Sequence, residues 1–223
     1  MYTHIALQST YQSLEIALFN DKILCDFIQE DKQHTSSLLI PRLQQLLERN
    51  NLALNDISFC TVNCGPAPFS SLRSVIASAN GLFCATKIPL ISVDGLKATF
   101  LELYDPAYEY TIVLLNAFNN ELYYLLAQEY QTIQTGYKES TILLQEFKNK
   151  LPSTPIHFFG NGVALHKKLI EEIFGENAII NNSIEYCSIK QIGLLGLQKF
   201  ESDEYLLTHL LPLYLKKHPV EKT

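Results

Sequence analysis

Short runs of apolar residues, some alternating with polar ones and some continuous, mark out the elements of this chain. Residues 3–8 (THIALQ) and 13–19 (SLEIALF) predict two strands around the turn STYQ, and 22–29 (KILCDFIQ) predicts a third. Leu39, Leu43, Leu46, Leu47 and Asn50 recur at helical spacing, with Thr35, Ser36 and Ser37 as candidate caps. Pro41 suits a first helical turn, which would start the helix proper near Ile40. A continuous strand at 57–63 (ISFCTVN) leads into a proline-containing turn and a helix to about Thr86. IPLISV at 88–93 reads as the next strand, followed by a helix to about Leu103.

After DPAYEY at 105–110 the succession begins again. Strands at 111–116 (TIVLLN), 121–128 (ELYYLLAQ) and 131–136 precede a helix over 138–149. A strand at 155–159 (PIHFF), the turn GNG and a helix over 162–174 follow. Both halves run hairpin, strand, helix, strand, glycine-containing turn, helix, without visible sequence identity between them. Such an order predicts the α/β class, with mixed sheets covered by helices. It is the layout of the actin-like ATPase or sugar-kinase-like fold, in which two ribonuclease-H-like halves flank a cleft. The halves would be 1–104, joined by a C-terminal return over 188–223, and a smaller 105–187. A single unrelated α/β domain with a short α+β appendage is the alternative. A final helix over 189–203 and the stretch LPLYLKK are expected to pack back on the first half.

Composition narrows the class of function. The 223 residues are 47% hydrophobic and 18% charged, which suits a globular protein of one large domain or two small ones. No apolar run approaches the roughly 18–20 residues that span a bilayer, and the opening MYTHIALQST lacks the features of an export signal. The five cysteines are odd in number and irregularly spaced, which reads as reduced core thiols in a cytoplasmic protein. With 17 Lys and Arg against 23 Asp and Glu, the net charge is −6. A protein gripping nucleic acid alone needs a basic stripe, and the densest basic cluster here is LKKHP.

The candidate chemistry is sparse. Kinases of the predicted fold carry carboxylates at the tips of their first strands to hold the metal of the nucleotide. The corresponding tips here, ALQST and LLNAF, place the neutral amides of Gln8 and Asn116 there. No two of the six histidines lie four residues apart, and there is no G-x-S-x-G elbow or G-x-G-x-x-G fingerprint. A small-molecule kinase or ATPase remains the enzyme alternative, with Glu121 or Asp94 supplying the charge; each also reads as an ordinary surface or loop residue. A peptidase would need a metal pair that the histidine spacing does not offer.

The most informative stretch is CGPAPFSSLRSVIASANGL, Cys64 to Leu82. Two prolines remove N–H groups from the turn, which weakens it as a phosphate cradle. Ser70 or Ser71 can cap the following helix. Leu72, Val75, Ile76, Ala79, Leu82 and Phe83 form its apolar stripe, and Ser74, Ala77, Ser78, Gly81 and Ala85 form a second face of small residues. That face either meets a helix of another protein at close range or touches the helix at 40–50 of the same domain.

Residues 65–73, Gly-Pro-Ala-Pro-Phe-Ser-Ser-Leu-Arg, resemble the hallmark G-P-G-S-F-T-G-[VL]-R of the TsaB (YeaZ) family, with two glycines replaced by Ala67 and Ser71. Leu7-Gln8-Ser9-Thr10 is similar to the family's I-D-T-S, with the acid replaced, and His34-Thr35 matches its His-[ST] before the first helix. Asn116-Ala117-Phe118, Glu121 and Tyr123 follow its D-A-R-x-x-E-x-Y hairpin, with amide and phenyl groups in place of the acid and the arginine. ISVDGLKA and PLYLKK complete a resemblance that spans about 3–217.

The resemblance implies an actin-like fold and a subunit without transferase activity of its own, with no catalytic residue and no metal. Such a subunit pairs with the catalytic relative TsaD in making N6-threonylcarbamoyladenosine on tRNA. Pairing would use helices 36–50 and 70–86, and self-pairing into a homodimer through the same helices is the alternative. The implied interface residues are His34, Thr35, Leu38, Arg42, Pro66, Phe69, Ser70, Arg73, Ser74, Ala77, Ser78, Gly81 and Ala85. Gln8, Ser9, Asn116 and Glu121 would be remnants of a nucleotide site. A TsaE-type ATPase would join the complex, with ATP or ADP at the interface and none on this subunit alone. tRNA would be met only through the complex, and no membrane is involved.

Overall fold

The computed structural model describes residues 1–181, 185–204 and 209–215. It divides into two compact units, Met1–Ala98 with the described residues of 188–213, and the described residues of 99–187 with Tyr214 and Leu215. Lys216, Lys217 and His218 of the basic cluster, and the side chain of Phe83, lie outside the described residues.

In the first unit the strands are β1 (Thr3–Ser9), β2 (Ser13–Asn20), β3 (Ile23–Asp31), β4 (Phe59–Asn63) and β5 (Leu90–Val93). Their sheet order is β3-β2-β1-β4-β5, antiparallel along the β1–β2–β3 meander and parallel from β1 through β4 to β5. β1, β2 and β4 are buried almost throughout, so both faces of the sheet need cover. One face, bearing Ile5, Leu7, Leu14 and Ile16, packs under α1 (Thr35–Arg49) and α2 (Phe69–Thr86). Leu39, Leu43 and Leu46 of α1 and Leu72, Val75, Ile76 and Ala79 of α2 fill that layer. Each fully buried aliphatic side chain there contributes about 1.5–3 kcal/mol. After β5 comes α3 (Gly95–Leu103). The opposite face carries His4, Phe19, Phe59 and Thr61 and is covered by a later helix, α7 (Ile189–Glu201).

The second unit repeats this plan. Strands β6 (Tyr110–Asn116), β7 (Glu121–Gln128), β8 (Gln131–Glu139), β9 (Ile156–Phe159) and β10 (Ala178–Asn181) form a sheet of order β8-β7-β6-β9-β10. β6–β7–β8 is an antiparallel meander, and β6, β9 and β10 are parallel. α4 (Ser140–Lys150), α5 (Asn161–Leu165) and α6 (Lys167–Phe174) complete it around Leu114, Leu126, Leu144, Phe147 and Phe158. The predicted element order is therefore present in both units with matching topology. β10 was not predicted: at four half-buried residues on a sheet edge it has too little pattern to read.

Local corrections concern helix starts. α1 begins at Thr35, a turn and a half before Ile40, with Pro41 inside it. Pro41 cannot donate to the carbonyl of Ser37, which lies on the exposed side where water can replace the bond. None of Thr35, Ser36 and Ser37 caps α1; its N-cap is His34, and Thr35 Oγ1 donates back to the Lys32 carbonyl at 2.7 Å. α2 likewise starts at Phe69, and the Ser71 hydroxyl donates to the Pro68 carbonyl instead of accepting from a helical N–H. The helix expected over 162–174 is broken at His166 into α5 and α6. Cys25 and Cys84 are exposed, so only Cys60, Cys64 and Cys187 are core thiols.

Two glycines let α7 lie close on the sheet. A Cβ on Gly193 would come within 2.4 Å of Phe19 Cζ, and one on Gly196 within 1.8 Å of Thr61 Oγ1. Among the described residues, a Cβ on Gly81 of α2 would meet nothing within 4 Å. Gly196→Ala is expected to destabilise the protein by about 1–3 kcal/mol through overpacking. Gly81→Ala is expected to stabilise it by up to about 1 kcal/mol through helix propensity. Urea denaturation of the two variants checks the opposite signs.

His4 introduces a pH dependence. Its ring is stacked between Phe19 and Phe59, at centroid distances of 4.9 and 4.3 Å, and its Nε2 donates to the Asp21 carbonyl at 2.9 Å. Nδ1 is buried without a partner, and burial holds the pKa below the ordinary histidine value. His157, buried beside Tyr108 and Phe159, is shifted in the same direction by burial. The unfolded chain therefore binds these protons more readily. Stability is complete above about pH 6.5 and falls as pH drops toward the lowered native values. Thermal melts between pH 7.5 and 5 should show this slope, and it should be shallower in His4→Gln.

Candidate functional site

The tip of β1 is closed by its own side chains. Gln8 is fully buried, and its Nε2 donates to Glu15 Oε2 at 2.6 Å, across the β1–β2 pair where the two residues are in register. Gln8 Oε1 accepts from Asn63 Nδ2 at 3.0 Å, and Asn63 Oδ1 accepts from the Gly65 N–H at 2.9 Å. Ser13 Oγ donates to the other oxygen of Glu15 at 2.8 Å. The amide at position 8 thus bridges a carboxylate and a second amide, which a carboxylate at that position cannot do. Ser9 points to the other face of the strand, and its hydroxyl is buried without a partner.

Glu15 and Asn63 are the members that motif reading missed. The signal for both was a polar residue inside an otherwise apolar strand, SLEIALF and ISFCTVN. In the second unit, Asn116 Oδ1 accepts from the Phe118 N–H at 2.8 Å, and the Asn116 N–H donates to Asn161 Oδ1 at 2.9 Å. Glu121 accepts from the Tyr137 hydroxyl. Asn116 therefore shapes the hairpin turn. Asp94 Oδ1 accepts from the N–H groups of Leu96 and Lys97 at 2.8 and 3.2 Å, at the start of α3, and burial raises its pKa. Burial also raises the Cys60 thiol and pushes Cys64 up to about 12, so both stay protonated. Among the described residues, no three His, Cys, Asp or Glu side chains gather as metal ligands. Nor is any helix of the described residues long and apolar enough to cross a membrane.

The turn after β4 presents α2 firmly. Gly65 has φ +106°, closed to other residues, and a Cβ there would come within 2.9 Å of Leu72 Cδ2. Its N–H is taken by Asn63, and its carbonyl accepts from the Gly95 N–H at 2.7 Å. With that donor engaged and prolines at 66 and 68, the turn offers few N–H groups to an anion.

On α2 itself, Leu72, Val75, Ile76 and Ala79 face the sheet, while Phe69, Ser70, Arg73, Ala77, Gly81, Cys84 and Ala85 are exposed. Ser74 and Ser78 are half-buried. The Arg73 guanidinium lies 3.7 Å over the Phe69 ring. α1 flanks this surface without covering it. Its Ile40, Leu43 and Leu47 form with Leu82 of α2 an apolar groove of 340 Å³. At the other end, Thr35 and Ser36 border a polar depression of 340 Å³ with Ser70, Ser71 and Ser74.

Not every candidate interface residue reaches the surface. His34 is exposed and Leu38 half-buried. Arg42 is half-buried and already paired with Glu30, at 2.6 Å, and with Gln45. Thr35, at 1% exposure, and Pro66 are buried within their own unit, the first by its bond to Lys32 and the second by the anchored turn. They lie beneath the surface and support it.

An isosteric Gln8→Glu exchange sets the relay against itself, because an acceptor oxygen would face Glu15 at the present 2.6 Å. The expected loss is about 2 kcal/mol at pH 7. Two facing carboxylates share a proton with a raised pKa, so the deficit relative to the parent protein should shrink as pH falls to 5. Denaturation of both proteins at the two pH values measures this.

Residues 22–221 match the family described as TsaD: tRNA N6-adenosine threonylcarbamoyltransferase. The chain is 24% identical to the tRNA threonylcarbamoyladenosine biosynthesis protein TsaB of Bacillus subtilis (strain 168), over 96% of this chain and 94% of that one. Among solved structures, YeaZ from Pseudomonas aeruginosa superposes with a TM-score of 0.74 at 20% identity, covering 96% of this chain and all of the other. Component A of (R)-2-hydroxyglutaryl-CoA dehydratase from Acidaminococcus fermentans superposes at 0.50 with 10% identity, over 89% and 99% of the two chains. At these identities the structural likenesses speak for the fold, which is the actin-like, sugar-kinase-like one.

Proposed function

Because this chain belongs to the TsaB/YeaZ family of tRNA threonylcarbamoyladenosine biosynthesis proteins, we propose that it works as a non-catalytic subunit docking on a TsaD-type catalytic relative. The observation that carries this reading is the open face of α2 around Gly81. A mid-helix glycine costs about 1 kcal/mol against alanine. Among the described residues, nothing lies near enough to Gly81 to require it. Small residues at 77, 81 and 85 let a second helix approach toward the short end of the usual 8–10 Å interaxial distance. The groove beside Leu82 and Ile40 offers apolar contact at the edge of the same surface.

The strand tips favour a supporting role for this subunit. Gln8, Asn63 and Glu15 satisfy one another where a kinase of this fold would place a charged metal ligand. In this reading a TsaE-type ATPase joins the pair, nucleotide enters at the interface between subunits, and tRNA is met only through the complex. Self-pairing would use the same helix faces and compete with the relative.

Gly81→Leu and Ala77→Trp are expected to leave the protein folded, since both positions are exposed, and to weaken binding to the TsaD-type relative at least tenfold. Titration calorimetry with the purified relative tests this. Binding at parent affinity by both variants would remove the small face as the interface.

A further inference from the structure

The free face of α2 has a second flank, formed by residues 209–213. The Leu210 side chain is 1% exposed and belongs to the core shared by α1, α2 and the first sheet. Asn80 of α2 holds the backbone of that residue at both ends: its Oδ1 accepts from the Leu210 N–H at 2.7 Å, and its Nδ2 donates to the Leu210 carbonyl at 2.9 Å. A helix has already used its own backbone groups, so a side-chain amide is how α2 can pair with a passing chain as a neighbouring strand would. Three residues on, the Leu213 N–H donates to the Cys64 carbonyl at 2.8 Å, fastening the segment beside the turn that launches α2.

Between these anchors Leu211 is turned outward. Neighbouring side chains of an extended chain point to opposite sides, and with Leu210 in the core Leu211 is 67% exposed. One exposed leucine is ordinary on a protein surface. This one differs in being held on both sides, next to a helix whose outer face is also uncovered. At about 100° per residue, Cys84, Ala77 and Gly81 lie about 40°, 60° and 100° around the helix from Asn80. Leu82, the residue lining the groove with α1, lies on the far side of that face. The uncovered row of α2 is thus flanked by α1 along one edge and by the segment 209–213 along the other.

We infer that the segment 209–213 is part of the docking surface, with Leu211 as a contact residue and Asn80 as the positioning residue that holds the segment against α2. The inference rests on the docking role proposed above and adds to it a contact that lies 130 residues from Asn80 in sequence. It also gives the amide of Asn80 a task that its place on α2 alone does not explain.

The test uses the full chain and the TsaD-type relative. Leu211→Asp should leave the melting temperature unchanged and lower affinity about tenfold in calorimetric titration. Asn80→Ala should speed hydrogen exchange at the Leu210 and Leu213 amides and lower affinity to a similar extent. Parent affinity in Leu211→Asp overturns the inference, as does parent affinity in Asn80→Ala with the two amides exchanging faster. Gly81→Leu in the same assay separates the two ideas. If it loses the relative while Leu211→Asp does not, the docking role stands and the contribution of 209–213 falls; if neither loses it, the open face of α2 is not the docking surface, and absence of binding by the parent chain removes the docking role itself.

Discussion

Strands β1, β2 and β4 are buried on both faces, and the rest of the first unit follows from that. A sheet buried on both sides must be covered twice. The chain supplies one cover locally, with α1 and α2, and the other from far along the sequence, with α7. α7 can lie against the sheet because Gly193 and Gly196 leave room for Phe19 and Thr61. Since α2 gives its leucine and valine side to the sheet, its opposite side has to face outward. That outward side, with its small residues, is thus a geometric consequence of core formation.

The same strands end in polar groups that must be satisfied where they leave the core. A primary amide can donate and accept at once, which is why Gln8 can sit between Glu15 and Asn63 and link the β1–β2 hairpin to the turn before α2. The turn is in turn tied to Gly95 and to Leu213 through Cys64. Strand tip, hallmark turn and C-terminal segment form one connected support. The hydrogen bonds of this corner are made within the chain, and beside it the outer side of α2 is exposed.

Much of the architecture was legible from patterning. Long apolar runs have only one way to be buried, and the repeated order of hairpin, strand and helix is a property of those runs; the strands, the duplication and the sheet-facing residues of α2 follow from them directly. Element ends were less legible because they depend on local competition. Thr35 and Ser71 carry residue types suited to capping, yet both hydroxyls donate to carbonyls one turn back. Pro41 marks no helix start because its missing donor costs little on a solvated side.

What the sequence by itself determined is therefore the class of the protein and the inventory of its faces: which strands need two covers, which helix side is apolar, and that the strand tips carry amides. Only the tertiary structure decided what each face meets. It placed Glu15 beside Gln8, buried Thr35 and Pro66, left Gly81 open, and brought Leu210 to Asn80. The physical reason is range: periodicity reports burial along one element, while contact between residues 55 or 130 positions apart is fixed by how sheets and helices pack.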